Sequence, residues 1–255
     1  MNEFYVYLPS NSSHQHFPDN TVSHFCTRLR KPLDLSGEYE VALVEVTLPT
    51  LWKNIDHKRC RLAINMDGKS WQEFGVTQGF YDSNTRFLTE LARVTEDATG
   101  GNKLLHYDDR QRKLSVVLPD NTSLKLYKGL AEILGFKNAK LLHGPRTLRP
   151  SGTVDVNHGV YLLYVYVNIV ESQLVGDAEV PLLRTVFFNA AAKKNKASEM
   201  AYTNYTSPHY VRVNKSFVQD IEIDIRDHTG ERVPFLVGPS SVKLHFRQIR
   251  PSFIN

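Results

Sequence analysis

Between Asp220 and Arg226 the chain alternates without a break: Ile221, Ile223 and Ile225 fall at every second position among Asp220, Glu222, Asp224 and Arg226. Successive side chains of a strand point to opposite faces, so the isoleucines share one face and the charges the other. The acids admit a second reading, as ligands of an oxygen-coordinated cation. A calcium loop of that kind needs acids at alternate positions, then a glycine at the sharp turn, then a distant bidentate glutamate. Ile225 stands where the glycine belongs, and β-branched isoleucines suit a pleated strand better than a tight loop. Asp227, His228, Thr229 and Gly230 then supply turn chemistry. The segment reads as a half-buried antiparallel strand whose acids are solvated or paired with a neighbouring chain.

Strand-like segments of this kind recur along most of the chain. FYVYLP (4–9), SHFCTRLRKPL (23–33), SGEYEVALVEVTLP (36–49) and CRLAINM (60–66) open it. In the third of these both alternating faces are largely apolar, as in a central strand covered on both sides. The period then changes. FYDSNTRFLTELARVTEDA (80–98) offers Ser83 or Asn84 as an N-cap ahead of Phe87, Leu88, Leu91 and Val94 at helical spacing. RQRKLSVVLPDNTSLKLY (110–127) has the look of a hairpin tipped by Pro119, Asp120 and Asn121, and GLAEILGF (129–136) that of a helical turn closed by Gly135. From residue 160 the strands return in VYLLYVYVNIV, PLLRTVFFN, HYVRV, FVQDIEIDI and VKLHFRQ. AAAKKNKASEM carries no strand signal and reads as an exposed loop with solvated lysines. Eight to ten strands at this spacing predict a mainly β protein, an antiparallel jelly-roll-type β-sandwich with a mixed α/β insert. Residues 1–66 supply the first strands, 67–150 the insert and 151–255 the remaining strands.

Several function classes recede on composition. The formal net charge is +4, and the basic residues are scattered apart from RLRK (28–31), HKRCR (57–61) and KKNK (193–196). That balance permits contact with an acidic polymer without demanding it. Two cysteines, Cys26 and Cys60, have neither zinc-site spacing nor a disulfide framework, and suit a reducing intracellular setting as free thiols. MNEFYVYLPSNSS has an early acid and no apolar core, so no signal peptide is expected. The longest apolar run, VYLLYVYVNIV, is too short to span a bilayer, and no membrane partner is expected.

No catalytic signature stands out: there is no GxSxG elbow, HExxH, glycine-rich phosphate loop or GxGxxG after a strand. His14 and His16 form an HxH without a third ligand nearby. GDAE (176–179) and HYDD (106–109) are turn chemistry. Arg184, a guanidinium inside the apolar PLLRTV, is expected to find a carboxylate among the strand acids. His245 and Arg247 alternate with Leu244 and Phe246 as the outward face of a final strand. The expectation is a protein without catalytic residues, metal or cofactor.

Taken together and in order, FYVYLPSNSS, HFPDNTVSHFCTRLRKPLDLSGEYEVALVEVTLP, GFYDSNTRFLTEL, LAEILGF, YVYVNIVESQLVGDAEVPLLRTV, PHYVRV, IEIDIRDHTGERVPF and VKLHFR resemble capsid proteins of Polinton (Maverick) virus-like transposons and adintovirus-like relatives. The resemblance runs over nearly the whole chain. It implies a minor capsid protein of the penton kind with a jelly-roll fold, forming pentamers at icosahedral vertices of a virion capsid, beside a longer major capsid protein as partner. It brings no catalytic residues.

On that footing the candidate functional residues are surface charges. Asp220, Glu222, Asp224, Arg226 and Arg184 are candidates for subunit contacts or a charged strand face. Arg28, Arg30 and Lys31, with Lys58, Arg59 and Arg61, are candidates for a non-specific DNA contact on the capsid interior. The extended ends MNEFYVYLP and RQIRPSFIN are candidate arms reaching a neighbouring subunit. Two other classes compete with the structural subunit. One is a β-sandwich module recognising a carbohydrate or receptor at a particle surface. The other is a metal enzyme on a jelly roll, which needs clustered histidines that this chain disperses.

Overall fold

The computed structural model describes residues 3–68, 70–157, 160–187 and 199–249 of the 255. The expectations for Lys193, Lys194 and Lys196 and for an arm over 250–255 lie outside the described residues. Among those described, the chain forms eighteen strands and two helices, more than the eight to ten strands expected. The surplus lies in the middle of the chain and in one short excursion. Two compact units divide the chain: Met1–Trp52 with Val160–Asn255, and Lys53–Gly159.

The first unit is the sandwich. β1 (Glu3–Pro9), β18 (Ser241–Gln248) and β3 (Tyr39–Pro49) pair in that order, and β15 (Met200–Asn204) and β16 (Tyr210–Arg212) both pair with the far side of β3. β15 and β16 are two pieces of one interrupted strand, with Pro208 in the break. The other sheet runs β14 (Leu182–Phe187), β11 (Leu162–Val167), β17 (Phe217–Arg226), β2 (His24–Asp34). With the sandwich strands counted one to eight along the chain, and β15 and β16 taken as the sixth, the sheets read 1-8-3-6 and 5-4-7-2. All these pairings are antiparallel. Two interlocked Greek keys of this order make a jelly roll. β12 (Gln173–Val175) and β13 (Ala178–Val180) form the excursion, a hairpin turned at Gly176, whose φ of 64° an L side chain rarely adopts.

Alternation explains the packing. Ile221, Ile223 and Ile225 are fully buried with Phe25, Leu163 and Val165 from neighbouring strands, and Val41, Leu43, Leu244 and Phe246 are buried from the other sheet. β3 is central, as its two apolar faces require. His245 departs from expectation: it lies opposite Leu244 and Phe246 yet is only 9% exposed. Tyr5 stacks on its ring with centroids 4.4 Å apart, and the Tyr210 hydroxyl meets its Nδ1 at 2.7 Å.

The second unit is inserted between β3 and β11. β5 (Trp71–Gly75), β4 (Arg61–Met66), β8 (Thr122–Leu126) and β9 (Lys140–His143) form one sheet, and β10 (Arg146–Leu148), β7 (Lys113–Leu118) and β6 (Leu105–Asp108) another. β4, grouped with the sandwich strands on sequence, thus pairs inside this unit. α1 (Asn84–Ala98) starts at Ser83, whose Oγ accepts from the Arg86 N–H, and buries Phe87, Leu88, Leu91 and Thr95. α2 (Lys128–Ile133) is followed by Gly135 at φ 89°, where a Cβ would come within 2.7 Å of the Gly152 backbone. Glycine is required there twice over, by φ and by the close approach.

The hairpin expected over 110–127 is not one. β7 pairs with β6 and β10, while β8 pairs with β4 and β9. At the tip the Thr122 N–H turns back to Pro119 O, and then Asn121 O accepts from Asp67 and Thr122 O from Gly144. Leu114, Val116, Leu118, Leu124 and Leu126 all stay in one buried cluster, so the chain turns a corner between sheets with its apolar side kept inward.

Candidate interaction surface

The outward side chains of β17 and β2 meet as ion pairs. Arg28 places Nε and Nη2 on the two Asp220 carboxylate oxygens at 3.0 and 3.1 Å. His24 Nε2 lies 2.7 Å from Glu222. Asp224, the most enclosed of the three with a side chain 13% exposed, takes Arg226 at 2.7 Å and Arg232 at 3.1 Å. Solvation or a neighbouring chain was expected to satisfy these acids, and their own sheet does so first. The reason is register: Asp220 faces Arg28 directly, and Asp224 faces His24 one step from Glu222. Cross-strand opposite charges hold one another in a sheet much as i,i+4 pairs do in a helix.

These contacts set the titration of the face. Burial raises Asp224, but hydrogen bonds from Arg226 and Arg232, with their charges, outweigh it and leave the carboxyl below its ordinary value. Arg28 lowers Asp220 in the same way. Cys26, on the same face, has its thiol pushed up to about 11, first by burial and then by Asp220 and Glu222. A thiol held neutral near pH 7 is a poor nucleophile. Glu222, Asp224 and Arg226 also border a hollow of about 510 Å³ with Tyr166 and Pro181. Its acids are already engaged, and no group of three metal-ligating side chains occurs among the described residues.

Arg184 does not find the expected carboxylate. Its guanidinium lies over the Tyr205 ring, 3.6 Å from the centroid, and reaches Ser207 O at 3.5 Å, with no ion pair among the described residues. Its register partner is Val165 of β11, the strand that separates β14 from the acidic row of β17. It borders a second hollow, of about 470 Å³, with Leu183, Thr203 and His209.

The basic candidates are divided between the two units. Arg28, Arg30 and Lys31 are exposed on β2, Arg28 being paired as above. Arg59 pairs with Asp56 at 3.0 Å, Arg61 with Glu73, and the Lys58 N–H donates to Asp56. Arg30 and Lys31 carry no ion pair among the described residues.

Of the outward face of the other sheet, His245 and Arg247 were read in the sequence as facing outward, and their neighbours on β1 were not. The register lines up Glu3, Arg247, Glu40 and Arg212 in one row, Tyr5, His245, Ala42 and Tyr210 in the next, then Tyr7, Lys243, Glu45 and Asn204. Lys243 meets Glu45 at 2.6 Å and Arg247 meets Glu40, so the charges cancel in pairs. Tyr5 and Tyr7 remain about 60% exposed beside them. The signal was available, since Phe4, Val6 and Leu8 alternate with Glu3, Tyr5 and Tyr7. No helix among the described residues is long and apolar enough to cross a membrane.

Fold and surface together define an antiparallel jelly-roll sandwich with a large insertion between its third and fourth strands and internally paired charged faces. No protein-family model matches the chain, and no curated protein does. Among solved structures, the mavirus penton protein aligns over 98% of this chain and 100% of its own at a TM-score of 0.50 and 10% identity. A chain of the Sputnik virophage, solved by cryo-electron microscopy, aligns over 97% and 98% at a TM-score of 0.47 and 12% identity. The first likeness is one of fold, over the length of both chains, and it falls on the kind of protein that the sequence resembles.

Proposed function

We propose that this chain is a structural subunit of a virus-like icosahedral particle, a minor capsid protein that assembles as a pentamer at the vertices beside a longer major capsid protein. The observation that carries the reading is the whole-length likeness to the mavirus penton protein, insertion included. The surface supports it. The acids of the β17 face are taken up in pairs, Asp220 and Glu222 across to β2 and Asp224 by the nearby Arg226 and Arg232, and Cys26 is held as a neutral thiol. Asp220, Glu222, Asp224 and Arg226 then act as a pre-paired strand face. Arg30 and Lys31 are the cations left for a non-specific DNA contact on the particle interior.

The test is the mass of the purified protein in solution, across concentration and at two salt levels. A closed species of five times the 29.1 kDa chain mass is expected, little altered by salt because the face charges are neutralised within each chain. A protein that stays monomeric at every concentration, alone and when co-expressed with the longer capsid protein of the same element, refutes the reading.

A further inference from the structure

The two sandwich sheets end in four edges among the described residues, and the edges differ in how far they are guarded. β2 is plugged: the Asn20 side chain gives Nδ2 to Cys26 O at 2.9 Å and takes the Cys26 N–H on Oδ1 at 2.8 Å. The Arg28 N–H is taken by Ser13 Oγ at 3.1 Å. The edge beyond β3 is broken into pieces of five and three residues, β15 and β16. β14 is guarded at its start alone, by Pro181 and by Gln173 Nε2, which donates to Leu182 O at 2.5 Å. Plugs, short strands and charges are the usual ways of keeping an edge from recruiting another strand.

β1 has none of them. The Ser10 N–H donates to Ser240 O at 2.8 Å in continuation of the β1–β18 register. Bonded pairs alternate in an antiparallel ladder, so Leu8, Val6 and Phe4 exchange hydrogen bonds with β18. The N–H and C=O groups of Tyr5 and Tyr7 therefore face away from the sheet. Pro9 O, an outward group by the same count, is taken by Ser12 N–H and Oγ at 3.2 and 2.9 Å. Nothing comparable reaches Tyr5 or Tyr7 among the described residues. FYVYL between Glu3 and Pro9 is uncharged, rich in strand-forming residues and uninterrupted, the composition of a segment that recruits a partner strand.

We propose that the open edge of β1 is a docking site for a second copy of this chain, which adds its β14 edge to it; the inference rests on the capsid-subunit reading and specifies the contact. Among the described residues β14 is the remaining edge long enough to pair that no strand break interrupts, and of its backbone groups Leu182 O is the one taken by a side chain. Charge also selects it. Arg184 has no carboxylate partner among the described residues, and Glu3, the first residue of β1, has a side chain 70% exposed with the His245 ring 3.6 Å from it. Joining β1 of one copy to β14 of the next uses two different surfaces. Such a contact repeats from copy to copy and makes a ring where its rotation closes, as the capsid-subunit reading requires, whereas β1 against β1 would stop at two copies.

The test compares assembly of the wild-type chain with Tyr7→Pro, Tyr5→Lys, Glu3→Arg, Arg184→Glu and the Glu3→Arg/Arg184→Glu double variant. Tyr7→Pro removes an outward N–H and spares the backbone bonds to β18 while giving up the hydroxyl bond to Ser241, so the dilute monomer keeps its circular dichroism with a modestly lowered thermal midpoint. Tyr5→Lys does the same work through charge if proline disturbs the strand. Each single variant is expected to raise the concentration for half-assembly about tenfold or more, and the double variant to restore it. On assembly the Tyr5 and Tyr7 amides of the wild type pass from fast to slow hydrogen exchange. Wild-type rings with fast amides at Tyr5 and Tyr7, or variants that assemble as the wild type does, overturn the docking site and leave the capsid reading standing. A wild-type chain that never forms rings overturns both.

Discussion

Asp224 shows how a carboxylate that is prominent in a sequence can be engaged by its own chain's arginines. It is enclosed and receives two guanidinium groups, 2.7 and 3.1 Å away. Replacing it by asparagine leaves Arg226 and Arg232 without their charge partner, and should cost about 2 kcal/mol of stability in urea unfolding, the loss being tempered by the half-exposed arginines. Asp224 and Asp220 both have folded pKa values below their ordinary range of about 4, so the stability they contribute is complete above that range. It drains away as the pH falls through their lower folded values. The thermal midpoint should therefore fall as the pH drops below about 4, and fall less steeply in Asp224→Asn. Millimolar calcium should leave the midpoint unchanged at pH 7, because the acids are already occupied by arginine and histidine; a rise of several degrees would reinstate the cation reading. That these residues form a strand face was legible from the alternation alone. The partners of Asp220 and Glu222 were not, since Arg28 lies 192 residues from Asp220 and His24 lies 198 from Glu222, whereas those of Asp224 are two and eight residues on. Pattern fixes which way a side chain points, and only register decides what it meets.

At the level of elements, legibility followed the amount of local information. α1 declares itself through a cap, a period and a length, and Ser83 with Phe87, Leu88 and Leu91 sits where those signals put it. Ser83→Ala should cost about 1 kcal/mol and Leu91→Ala about 2–5 kcal/mol, both read from thermal or urea unfolding. Gly135→Ala belongs with the larger effect, because its Cβ would meet the Gly152 backbone, not a yielding side chain, at a left-handed φ. β7 and β8 were misjudged for a complementary reason. Alternating strands flanking Pro-Asp-Asn look alike whether they return on one another or turn a corner into a second sheet. The difference lies in the distant strands β4, β6, β9 and β10 that claim their backbone groups.

For the whole molecule, the count and spacing of strands in the outer thirds of the sequence carried the sandwich, and the insertion was visible as a change of period. What no local pattern could give is the order 1-8-3-6 and 5-4-7-2, which is decided by closure of both inner faces on one core. That order predicts where exchange is slowest. Amides of β3, β18, β11 and β17, each flanked on both sides, should outlast those of the edge strands β1, β2 and β14 in native-state hydrogen exchange of the unassembled chain. The pairing of β1 with β18 also has a consequence in time. The Tyr7 hydroxyl bonds Ser241 across 234 residues of sequence. A ribosome adding about 5–20 residues per second releases FYVYL roughly 10–50 seconds before its sheet partner exists. During translation that strand has both edges open, and the continuous insertion can fold meanwhile while the sandwich waits. The stretch that makes the finished molecule sociable is therefore its greatest hazard at birth, and yield in a cell should depend on how well a nascent-chain chaperone shields those few residues.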